Sequence, residues 1–566
     1  MVPMLRVRWL GRVAYADALA LQEGLHAHGR PDGHLLLLEH PHVYTLGVRA
    51  RTEHLLVAPA TVGADLVEAR RGGDVTYHGP GQVVGYPILD VPTGPGSTPG
   101  HVHAIEQVVV DALADVGLAG CGRLSGYPGV WVDPTGAAPR KICAVGVRIT
   151  RERSMHGFAL NVDPDLAMFG HIVPCGIADA DKTVTSLRAE GVTARVHEVV
   201  DALVARAVER WGTEGWERQD VAWRTPRSTD SGVPAIGGWA DAPNPVLSSQ
   251  LRGRLGEAAV DPATAVAFTA RKPEWLRVKA DMGDGYRRLK QTMRSLDLVT
   301  VCEEAGCPNI FECWADGTAT FMINGERCTR ACAFCLVDTD KPEAVDGGEP
   351  ERVAEAVERM GLAHAVITAV ARDDLADGGA GAFAQTIRAV RRRNPACTVE
   401  TLIPDCKGDP AALRTVFDAG PDILDHNVET VPRLQRAVRP SASYARSLAV
   451  LARAKAAGLV TKTSVIVGLG ETVTEVLAVL ADLRAVAVDI VTIGQYLRPS
   501  ARHVPVARWW TPAELSGLKA AGEAMGIPHI ESSPLTRSSY HARQAATAAA
   551  TATADVAAAA AAAGAR

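Results

Sequence analysis

Short apolar runs alternate with amphipathic stretches along the C-terminal half of the chain. The runs with the length and composition of buried strands are FMI (321–323), AVITAV (365–370), TVETL (398–402), ILDHNV (423–428), TSVIVGL (463–469), DIVTIGQ (489–495) and HIESS (529–533). The stretches between them have the apolar spacing of helices, as in ERVAEAVERMG (351–361). Repeated strand–helix units predict an α/β fold with a parallel sheet, closed or partly closed as a barrel. In such barrels the loops after the strands carry the chemistry.

The N-terminal half mixes strands and helices less regularly. Its strand-like runs are HLLLLEH (34–40), VWVD (130–133), AVGVRI (144–149) and GFALNV (157–162). One long amphipathic stretch, HVHAIEQVVVDALADVG (101–117), has the apolar spacing of a helix. Because no strand–helix unit repeats, this half predicts an α+β domain built around a mixed sheet.

Two segments have neither pattern. Residues 219–250 are rich in Pro, Ser, Gly and Asp, which is typical of a linker, and the alanine-rich end from 545 has no apolar stripe to bury. We therefore predict an N-terminal domain over residues 1–217, a linker over 218–268, a second domain over 269–543 and a disordered tail over 544–566.

Composition restricts the classes of function. The 566 residues are 47% hydrophobic and 22% charged, as in ordinary globular proteins. The net charge of −5, without a basic domain, predicts no nucleic-acid binding. No apolar run approaches the roughly 18 residues that a membrane-spanning helix needs, and the N-terminus lacks signal-peptide features. We expect a cytoplasmic protein, whose eleven cysteines are ligands, nucleophiles or core residues rather than disulfides.

Six of those cysteines form two triplets, Cys302, Cys307 and Cys313 in CEEAGCPNIFEC, and Cys328, Cys332 and Cys335 in CTRACAFC. Three thiolates from one loop are too few to close a tetrahedral zinc site. They suffice to bind three irons of a 4Fe-4S cluster and leave the fourth iron for another ligand. The two triplets therefore predict two clusters with different roles.

The second triplet, with Phe334 before its last cysteine, has the C-x3-C-x2-C spacing of the radical S-adenosylmethionine (SAM) enzymes and resembles them. The resemblance implies that SAM chelates the open iron through its amino and carboxylate groups. One-electron transfer then gives a 5′-deoxyadenosyl radical that abstracts hydrogen from unactivated carbon. The alternatives are a zinc loop or a chance group of cysteines. A triplet placed after the first strand of a predicted barrel favours the radical enzyme.

Residues 270–541 resemble the lipoyl synthases through CEEAGCPNIFECW, ARDDLADGGA, HNVETVPRL, VGLGET and RSSYHA. The resemblance implies that the first triplet binds an auxiliary 4Fe-4S cluster whose fourth ligand is Ser539. That cluster serves as the source of two sulfur atoms inserted at C6 and C8 of an octanoyl chain. The alternative for Ser539 is an ordinary loop hydroxyl.

The sequence does not decide the roles of several other polar side chains in this half. Arg372, Asp373, Asp374, Asn427 and Glu429 follow strands, where contact with SAM and ordering of the loops are equally compatible with their positions. The two cysteines that flank TVETL, at 397 and 406, are predicted to be core or surface residues rather than ligands, because free cysteine is often a small buried hydrophobe.

The N-terminal half offers a different thiol. Cys175 lies in GHIVPCGI, a loop flanked by Pro and Gly, where a thiol is a nucleophile if a neighbour stabilises its thiolate. Lys141, in PRKICAVGVRI, is one of two lysines before residue 270, and lysine both pairs with a thiolate and exchanges a proton. The residues alone leave open whether Lys141 is functional or incidental. Cys143 is predicted to be structural.

The motifs RRGGDVTYHGPGQ (70–82), KICAVG (141–146), HGFALN (156–161) and PCGI (174–177) resemble those of lipoyl(octanoyl) transferases over residues 5–215. The resemblance implies the fold of biotin and lipoyl protein ligases. It also implies that Cys175 forms an acyl-thioester and that Lys141 lowers the pKa of Cys175 and moves protons. The implied acyl-binding residues are Arg71, Gly72, Gly73, Asp74, Val75, Thr76, Tyr77, His78, Ala144, Val145, Gly146, Gly157, Phe158 and Ala159.

Together the two resemblances imply a bifunctional enzyme of lipoate assembly. The first domain takes an octanoyl group from acyl carrier protein to a lysine of lipoyl carrier domains, such as glycine cleavage H protein and the E2 subunits of 2-oxoacid dehydrogenases. The second inserts sulfur with two 4Fe-4S clusters, SAM and a low-potential electron donor. The alternatives are an ATP-dependent lipoate or biotin ligase in the first half, another sulfur-inserting enzyme such as biotin synthase in the second, or a non-catalytic scaffold for lipoyl domains.

Overall fold

The computed structural model describes residues 3–176, 179, 181–223, 247–277, 284–300, 309, 310, 313 and 318–540, without the side chains at 284–286, 288 and 289. The chain divides into two compact units, residues 1–223 and 224–566. The finer boundaries at 217, 268 and 543 stay predictions. Cys302, Cys307 and the alanine-rich tail lie outside the described residues. In the described part of the chain, no helix is long and apolar enough to cross a membrane.

The described residues of the first unit form the strands β1 (Leu5–Arg12), β2 (Gly33–Glu39), β3 (Val43–Leu46), β4 (Asp65–Glu68), β5 (Val75–His78), β6 (Gln82–Ile88), β7 (Cys121–Leu124), β8 (Tyr127–Val132), β9 (Arg140–Thr150), β10 (Arg153–Asn161), β11 (Thr183–Val184) and β12 (Trp216–Asp220). The α-helices are α1 (Tyr15–His28), α2 (Ser97–Asp115) and α3 (Val196–Trp211).

A large mixed sheet is the framework of this unit. Its order is β12-β1-β2-β6-β10-β9-β8-β7, with β11 beside β9, and a second sheet has the order β4-β3-β5. Apolar side chains of α2 and α3, including Ile105, Val109 and Leu203, join those of the large sheet in one core. The predicted α+β fold is confirmed. Cys143 on β9 is fully buried in this core, as predicted.

The hairpin of β9 and β10 sets small residues opposite each other. Ala144 pairs with Ala159, and Gly146 pairs with Gly157. A Cβ at Gly157 would lie 2.1 Å from the carbonyl oxygen of Gly85 on β6, so only glycine permits this approach of the strands. The face of the hairpin that carries these four residues therefore has no bulky side chain there.

The described residues of the second unit form the helices α4 (Ser249–Glu257), α5 (Asp284–Ser295), α6 (Glu349–Met360), α7 (Ala380–Arg393), α8 (Pro410–Asp418), α9 (Gln435–Val438), α10 (Tyr444–Ala456), α11 (Val473–Ala485) and α12 (Pro512–Met525). The strands are β13 (Val299–Thr300), β14 (Thr318–Ile323), β15 (His364–Ala369), β16 (Thr398–Leu402), β17 (Ile423–Asp425), β18 (Val460–Val467), β19 (Ile490–Gln495) and β20 (His529–Ser533).

These strands follow one another across a single sheet, β13 to β20 in sequence order. All neighbours from β14 onward are parallel, whereas β13 pairs with β14 antiparallel. The partial (β/α) barrel predicted from the strand–helix alternation is thus confirmed. Among the predicted strands, 423–428 is too long: β17 ends at Asp425, and Glu429 beyond it has a positive φ of 69°. The short strand β13 was not predicted.

Part of the predicted linker is folded. Ser248 caps α4 by accepting a hydrogen bond from the Leu251 N–H, and both Leu251 and Leu255 are buried. Glu257 pairs with Arg436 of α9 at 3.0 Å. Residues 249–257 of the predicted linker thus form a short helix that buries Leu251 and Leu255, and the bounds of the linker stay a prediction.

Candidate functional site

Cys175 lies in a short 3-10 turn, Pro174–Gly176, with φ of 57° and ψ of 17°. Non-glycine residues adopt this left-handed conformation infrequently, and the thiol of Cys175 is half-buried. The turn is fixed from both ends, because the Gly176 N–H donates to the Val173 carbonyl and the Val173 N–H donates to the His54 carbonyl. The backbone therefore holds Cys175 in one strained arrangement.

Strand β11, which follows the Cys175 turn in the sequence, lies beside Lys141 on β9. Strand β11 pairs with β9 so that Val184 lies opposite Lys141, and the Thr185 N–H donates to the Lys141 carbonyl. The ammonium of Lys141 lies 4.9 Å from the centre of the Trp131 ring, its cross-strand neighbour on β8. Lys141 is 7% exposed and, among the described residues, has no carboxylate partner. Lys141 and Cys175 line the same small cavity, with Ala144 and Ala159.

A larger cavity of about 680 Å³ continues from this point. Its wall contains Cys175, Lys141 and all of the predicted acyl-binding residues except Val75 and Tyr77. Those two side chains are fully buried in the neighbouring core of β3 and β5. The volume is within the range of small-molecule sites. The sequence therefore singled out half of the residues of this wall, and binding of an acyl chain there stays a prediction.

Arg71 adds a buried positive charge to this wall. Its guanidinium donates to the Thr45 carbonyl at 2.6 Å and to the Thr45 hydroxyl at 2.9 Å. Burial lowers the pKa of Arg71, while interactions with Tyr15, Cys175 and Asp74 act in the opposite direction. An arginine remains charged under such conditions. Two buried cations, Lys141 and Arg71, therefore face a site where a thiolate would form.

His54 and Asp74 also line the cavity, next to the Cys175 turn. His54 Nδ1 lies 2.7 Å from Asp74 Oδ2. A Cβ at Gly176 would lie 2.7 Å from the same carboxylate oxygen. The sequence analysis overlooked His54, because RTEHLL has no periodicity and its polar residues resemble those of any surface turn.

The triplet Cys328, Cys332 and Cys335 occupies the loop after β14, and all three side chains are half-buried. The backbone nitrogens of Arg330 and Ala371 lie 3.4 and 3.3 Å from Cys328 Sγ. N–H groups directed at sulfur stabilise iron-bound thiolates.

Burial raises the pKa of Cys332 and raises the pKa of Cys335 to about 11, so both are protonated thiols until a metal replaces the proton. In the described part of the chain, no three His, Cys, Asp or Glu side chains converge as ligands of one ion. A cubane cluster does not require such convergence, since each thiolate binds a different iron. The loop therefore fits a 4Fe-4S cluster with one open iron.

Buried ion pairs hold this loop to its neighbours. Arg330 contacts Asp373 at 2.7 Å and Asp405 at 2.6 Å. Arg372 donates to the Asp374 carboxylate and to the Asn324 carbonyl, both at 2.9 Å. Arg372, Asp373 and Asp374 thus order the loops at the barrel mouth, and a further role toward SAM stays open. Cys397 and Cys406 are both buried, which makes them core residues rather than surface ones.

The first triplet is described only at Cys313. The Cys313 N–H donates to the Asn309 carbonyl at 3.0 Å, and the side chain of Asn309 donates to the Leu535 carbonyl at 2.7 Å. Leu535 lies four residues before Ser539, which is half-buried. Asn309, 4% exposed and not singled out from the sequence, therefore ties the segment of Cys313 to the segment of Ser539.

Two contacts fix the RSSY segment over the barrel mouth. A Cβ at Gly494 on β19 would lie 2.0 Å from the carbonyl oxygen of Thr536, so the segment crosses the strand where it has no side chain. The Ser538 hydroxyl donates to Asp425 at the end of β17 and lies 3.3 Å from Asn427 Oδ1. The loop that carries Ser539 is thus set by residues of two strands.

Comparison with known families matches different families to the two halves of the chain. The lipoyl protein ligase A/B catalytic domain matches residues 14–207, the N-terminal domain of lipoyl synthase matches residues 262–307, and the radical SAM superfamily matches residues 322–483. The lipoyl synthase of Rubrobacter xylanophilus is 57% identical over 275 residues, which are 48% of this chain and 86% of that protein. That of Mycobacterium leprae is 56% identical over 272 residues, 48% of this chain and 87% of that protein.

Solved structures are more distant. A bi-partite lipoate protein ligase of Thermoplasma acidophilum has a TM-score of 0.33 and 16% identity, covering 38% of this chain and 86% of that one. SuiB of Streptococcus suis has a TM-score of 0.31 and 10% identity, covering 50% of this chain and 59% of that one. The sequence relatives decide the assignment: through its C-terminal half the chain belongs to the lipoyl synthase family, and that half follows a lipoyl protein ligase A/B catalytic domain.

Proposed function

We propose that the chain carries out two consecutive steps of lipoate assembly. Its C-terminal half is a radical SAM lipoyl synthase by family, and its N-terminal half is a catalytic domain of lipoate transfer. The finer proposal is that the first unit moves an octanoyl group and the second inserts two sulfur atoms into it. Octanoyl–acyl carrier protein, lipoyl carrier domains and a low-potential electron donor are the proposed partners.

The proposal for the first unit rests on one observation: Cys175 and the buried Lys141 line the same cavity, whose wall also includes the small residues Ala144 and Ala159. In the first half-reaction, Cys175 Sγ attacks the thioester carbonyl of the octanoyl donor. The bond from that carbonyl to the carrier's sulfur breaks, and the leaving thiolate takes a proton from Lys141. In the second half-reaction, the amine of a carrier lysine attacks the acyl–Cys175 thioester, the bond from the carbonyl carbon to Sγ breaks, and Cys175 leaves as a thiolate. Lys141, left neutral by the first half-reaction, accepts the amine proton and again pairs with that thiolate. No step requires ATP.

The strained turn at Cys175 favours transfer over ATP-dependent ligation, since adenylate formation has no use for a nucleophilic thiol. The test is mass spectrometry of the full chain after incubation with octanoyl–acyl carrier protein. We expect one octanoyl group on Cys175 and none in Cys175→Ser. Octanoyl-adenylate formed from octanoate and ATP, without acylation of Cys175, would instead identify a ligase.

For the second unit, we propose that Cys328, Cys332 and Cys335 hold the cluster that binds SAM. When bound, this cluster supplies the electron that cleaves SAM and starts radical chemistry on the octanoyl chain. The chain's own contribution is to hold the thiolates with backbone N–H groups and to fix their loop through Arg330.

We further propose that Cys302, Cys307, Cys313 and Ser539 hold a second cluster, the source of sulfur. The support is the link through Asn309, which connects the neighbourhood of Cys313 to that of Ser539. A serine oxygen is a harder ligand than thiolate and binds iron less firmly, which suits a cluster consumed in the reaction.

Iron content tests this pair of sites. Anaerobic reconstitution should load about eight irons per chain, and Cys328→Ala should retain about four. Mass spectrometry of an octanoyl carrier domain after addition of SAM and reductant should show two sulfur atoms gained. About four irons in the unaltered chain would contradict the second cluster while leaving the first in place.

A further inference from the structure

Two exposed arginines form part of the rim (residues 48–51) of the cavity that contains Cys175. Arg49 and Arg51 belong to the cavity wall, and both are exposed, unlike the buried Arg71 of the same wall. Among the described residues, neither guanidinium has a carboxylate partner. Val48 beside them is 68% exposed. The rim therefore presents two unpaired positive charges and an apolar side chain to solvent.

The backbone holds this rim in place. The Arg49 N–H donates to the Gly73 carbonyl at 3.1 Å, and the Val48 N–H donates to the Arg71 carbonyl at 3.0 Å. A Cβ at Gly47 would lie 2.3 Å from the Gly73 carbonyl oxygen, so only glycine permits this approach. The segment after β3 therefore lies along the cavity wall, and the arginine side chains extend from a fixed backbone.

Arg51 lies close to the turn that carries the nucleophile. Its N–H donates to Asp74 Oδ1 at 3.4 Å, and a Cβ at Gly176 would lie 2.7 Å from Asp74 Oδ2. One carboxylate thus lies between the backbone of Arg51 and the residue that follows Cys175. The rim and the nucleophile are therefore separated by the length of a single side chain.

The proposed transfer brings a protein acceptor to this rim. The acceptor lysine has a four-carbon stem, so its backbone must lie next to the opening when its amine reaches the acyl–Cys175 thioester. The residues that flank this lysine then face Arg49 and Arg51. Across residues 47–54, the two arginines are accompanied by one acidic residue, Glu53. Charges at the rim of an interface favour partners of opposite charge, so the rim fits an acidic acceptor.

We propose that Arg49 and Arg51 form a docking surface for the acceptor carrier and bind carboxylates on either side of its target lysine. This inference rests on the proposed octanoyl transfer. The surface is assigned to the acceptor because the reacting nitrogen of the acceptor is on a short side chain of its own backbone. The donor's sulfur is instead on a long prosthetic arm, which reaches Cys175 from a more distant protein surface.

The test compares three acceptors that differ in charge or size. The isolated acyl-enzyme is mixed with a lipoyl domain whose lysine is flanked by acidic residues, with the same domain after those residues are changed to amides, or with Nα-acetyl-lysine amide. In the double variant Arg49→Glu, Arg51→Glu, the second-order rate constant of transfer should fall about 10- to 100-fold for the acidic domain. It should stay within about threefold for the other two acceptors. About 1 M salt, which screens exposed charges beyond roughly 3 Å, should reduce the loss to about threefold or less.

Octanoylation of Cys175 by the donor should stay within about threefold in the double variant. Arg210→Glu is the matched control for each single substitution, because Arg210 is exposed on α3 and absent from the cavity wall. Both of its rates should equal those of the unaltered chain. An equal loss with the amide-substituted domain or with the small amine would overturn the docking surface, and so would an equal or greater loss in octanoylation.

Binding separates a failure of this surface from a failure of the proposed transfer. Titration calorimetry of the unacylated chain with the acidic lipoyl domain should show affinity about 10-fold weaker or more in the double variant. Unchanged affinity would overturn the docking surface. Absence of acyl–Cys175 in the unaltered chain would instead overturn the proposed octanoyl transfer, whatever the affinity.

Discussion

The turn at Cys175 and the loop of Cys328, Cys332 and Cys335 use cysteine in opposite ways. The turn presents one thiol in a strained conformation, beside a cavity with the buried cations of Lys141 and Arg71. The loop presents three half-buried thiols and directs backbone N–H groups at one of them. A nucleophilic thiol must be accessible to the substrate and must be able to lose and regain its proton. A thiolate that binds a cluster must instead be held in a fixed position. Cysteine count alone does not distinguish these uses, but the neighbouring side chains do.

The most decisive test of this contrast is to remove one thiol at a time. Cys328→Ala should abolish sulfur insertion and lower the iron content by about four irons per chain, since the cluster loses a thiolate ligand. It should leave acylation of Cys175 unchanged. Cys175→Ser should abolish acyl transfer and retain all iron. Iron analysis and mass spectrometry of the same preparations measure both. The comparison fails if either substitution impairs both activities.

A smaller loss is expected at Lys141. Lys141→Met removes the cation and the exchangeable proton, so octanoylation of Cys175 should slow by about 10²- to 10⁴-fold. Lys141→Arg should recover part of this rate, because it keeps the charge but exchanges no proton. The measurement is the rate of acyl-enzyme formation at fixed pH.

Lys182→Met is the control for that experiment. Lys182 contacts Asp181 at 3.2 Å and lies over the Tyr127 ring, but it is absent from the walls of both described cavities. Its substitution should leave the rate within about twofold. An equal effect at both lysines would indicate that general charge, not the position of Lys141, controls the thiol.

The sequence predicted local structure better than it predicted contacts. TVETL coincides with β16 because its three β-branched residues favour a strand that can be predicted locally. HIESS also coincides with β20, although Ile530 is its one apolar residue. The sequence could single out the cysteine triplet and half of the wall of the larger cavity because those residues lie in contiguous motifs. Asn309, Gly494 and His54 were missed, because each contacts a residue that is distant in the sequence. Those contact residues are Leu535, Thr536 and Asp74, respectively.

Gly494 is the sharpest of these missed positions. Gly494→Ala should move the RSSY segment, because the new Cβ would lie 2.0 Å from the Thr536 carbonyl. We expect iron to fall from about eight toward about four per chain while the SAM-binding cluster persists, measured by iron analysis and electron paramagnetic resonance. Gly517→Ala is the matched control, since Gly517 is exposed on α12 with nothing within 4 Å of an added Cβ. Normal iron content in Gly494→Ala would remove the support for Ser539 as a ligand.

The smallest expected effect concerns acid stability, where the two units differ again. Burial lowers the pKa of four histidines in the first unit, His40, His78, His101 and His156, and of two in the described part of the second, His426 and His529. A lowered pKa means that the folded state prefers the neutral imidazole. The stability that this preference contributes is present above about pH 6.5 and is lost as the pH falls toward 4. The first unit should therefore lose protection against hydrogen exchange at a higher pH than the second.

His101 isolates this effect, because burial alone lowers its pKa to about 4. Between pH 7 and pH 5, a histidine with that pKa should cost the folded state about 2 kcal/mol relative to the unfolded state, whose imidazole has its ordinary pKa. In His101→Leu the free energy of unfolding of the first unit should therefore fall by about 2 kcal/mol less over this interval. The exposed His103 on the same helix gives the comparison, and His103→Leu should leave the pH dependence unchanged. Identical pH dependence in His101→Leu and the unaltered chain would show that the buried histidines do not set the acid limit of this unit.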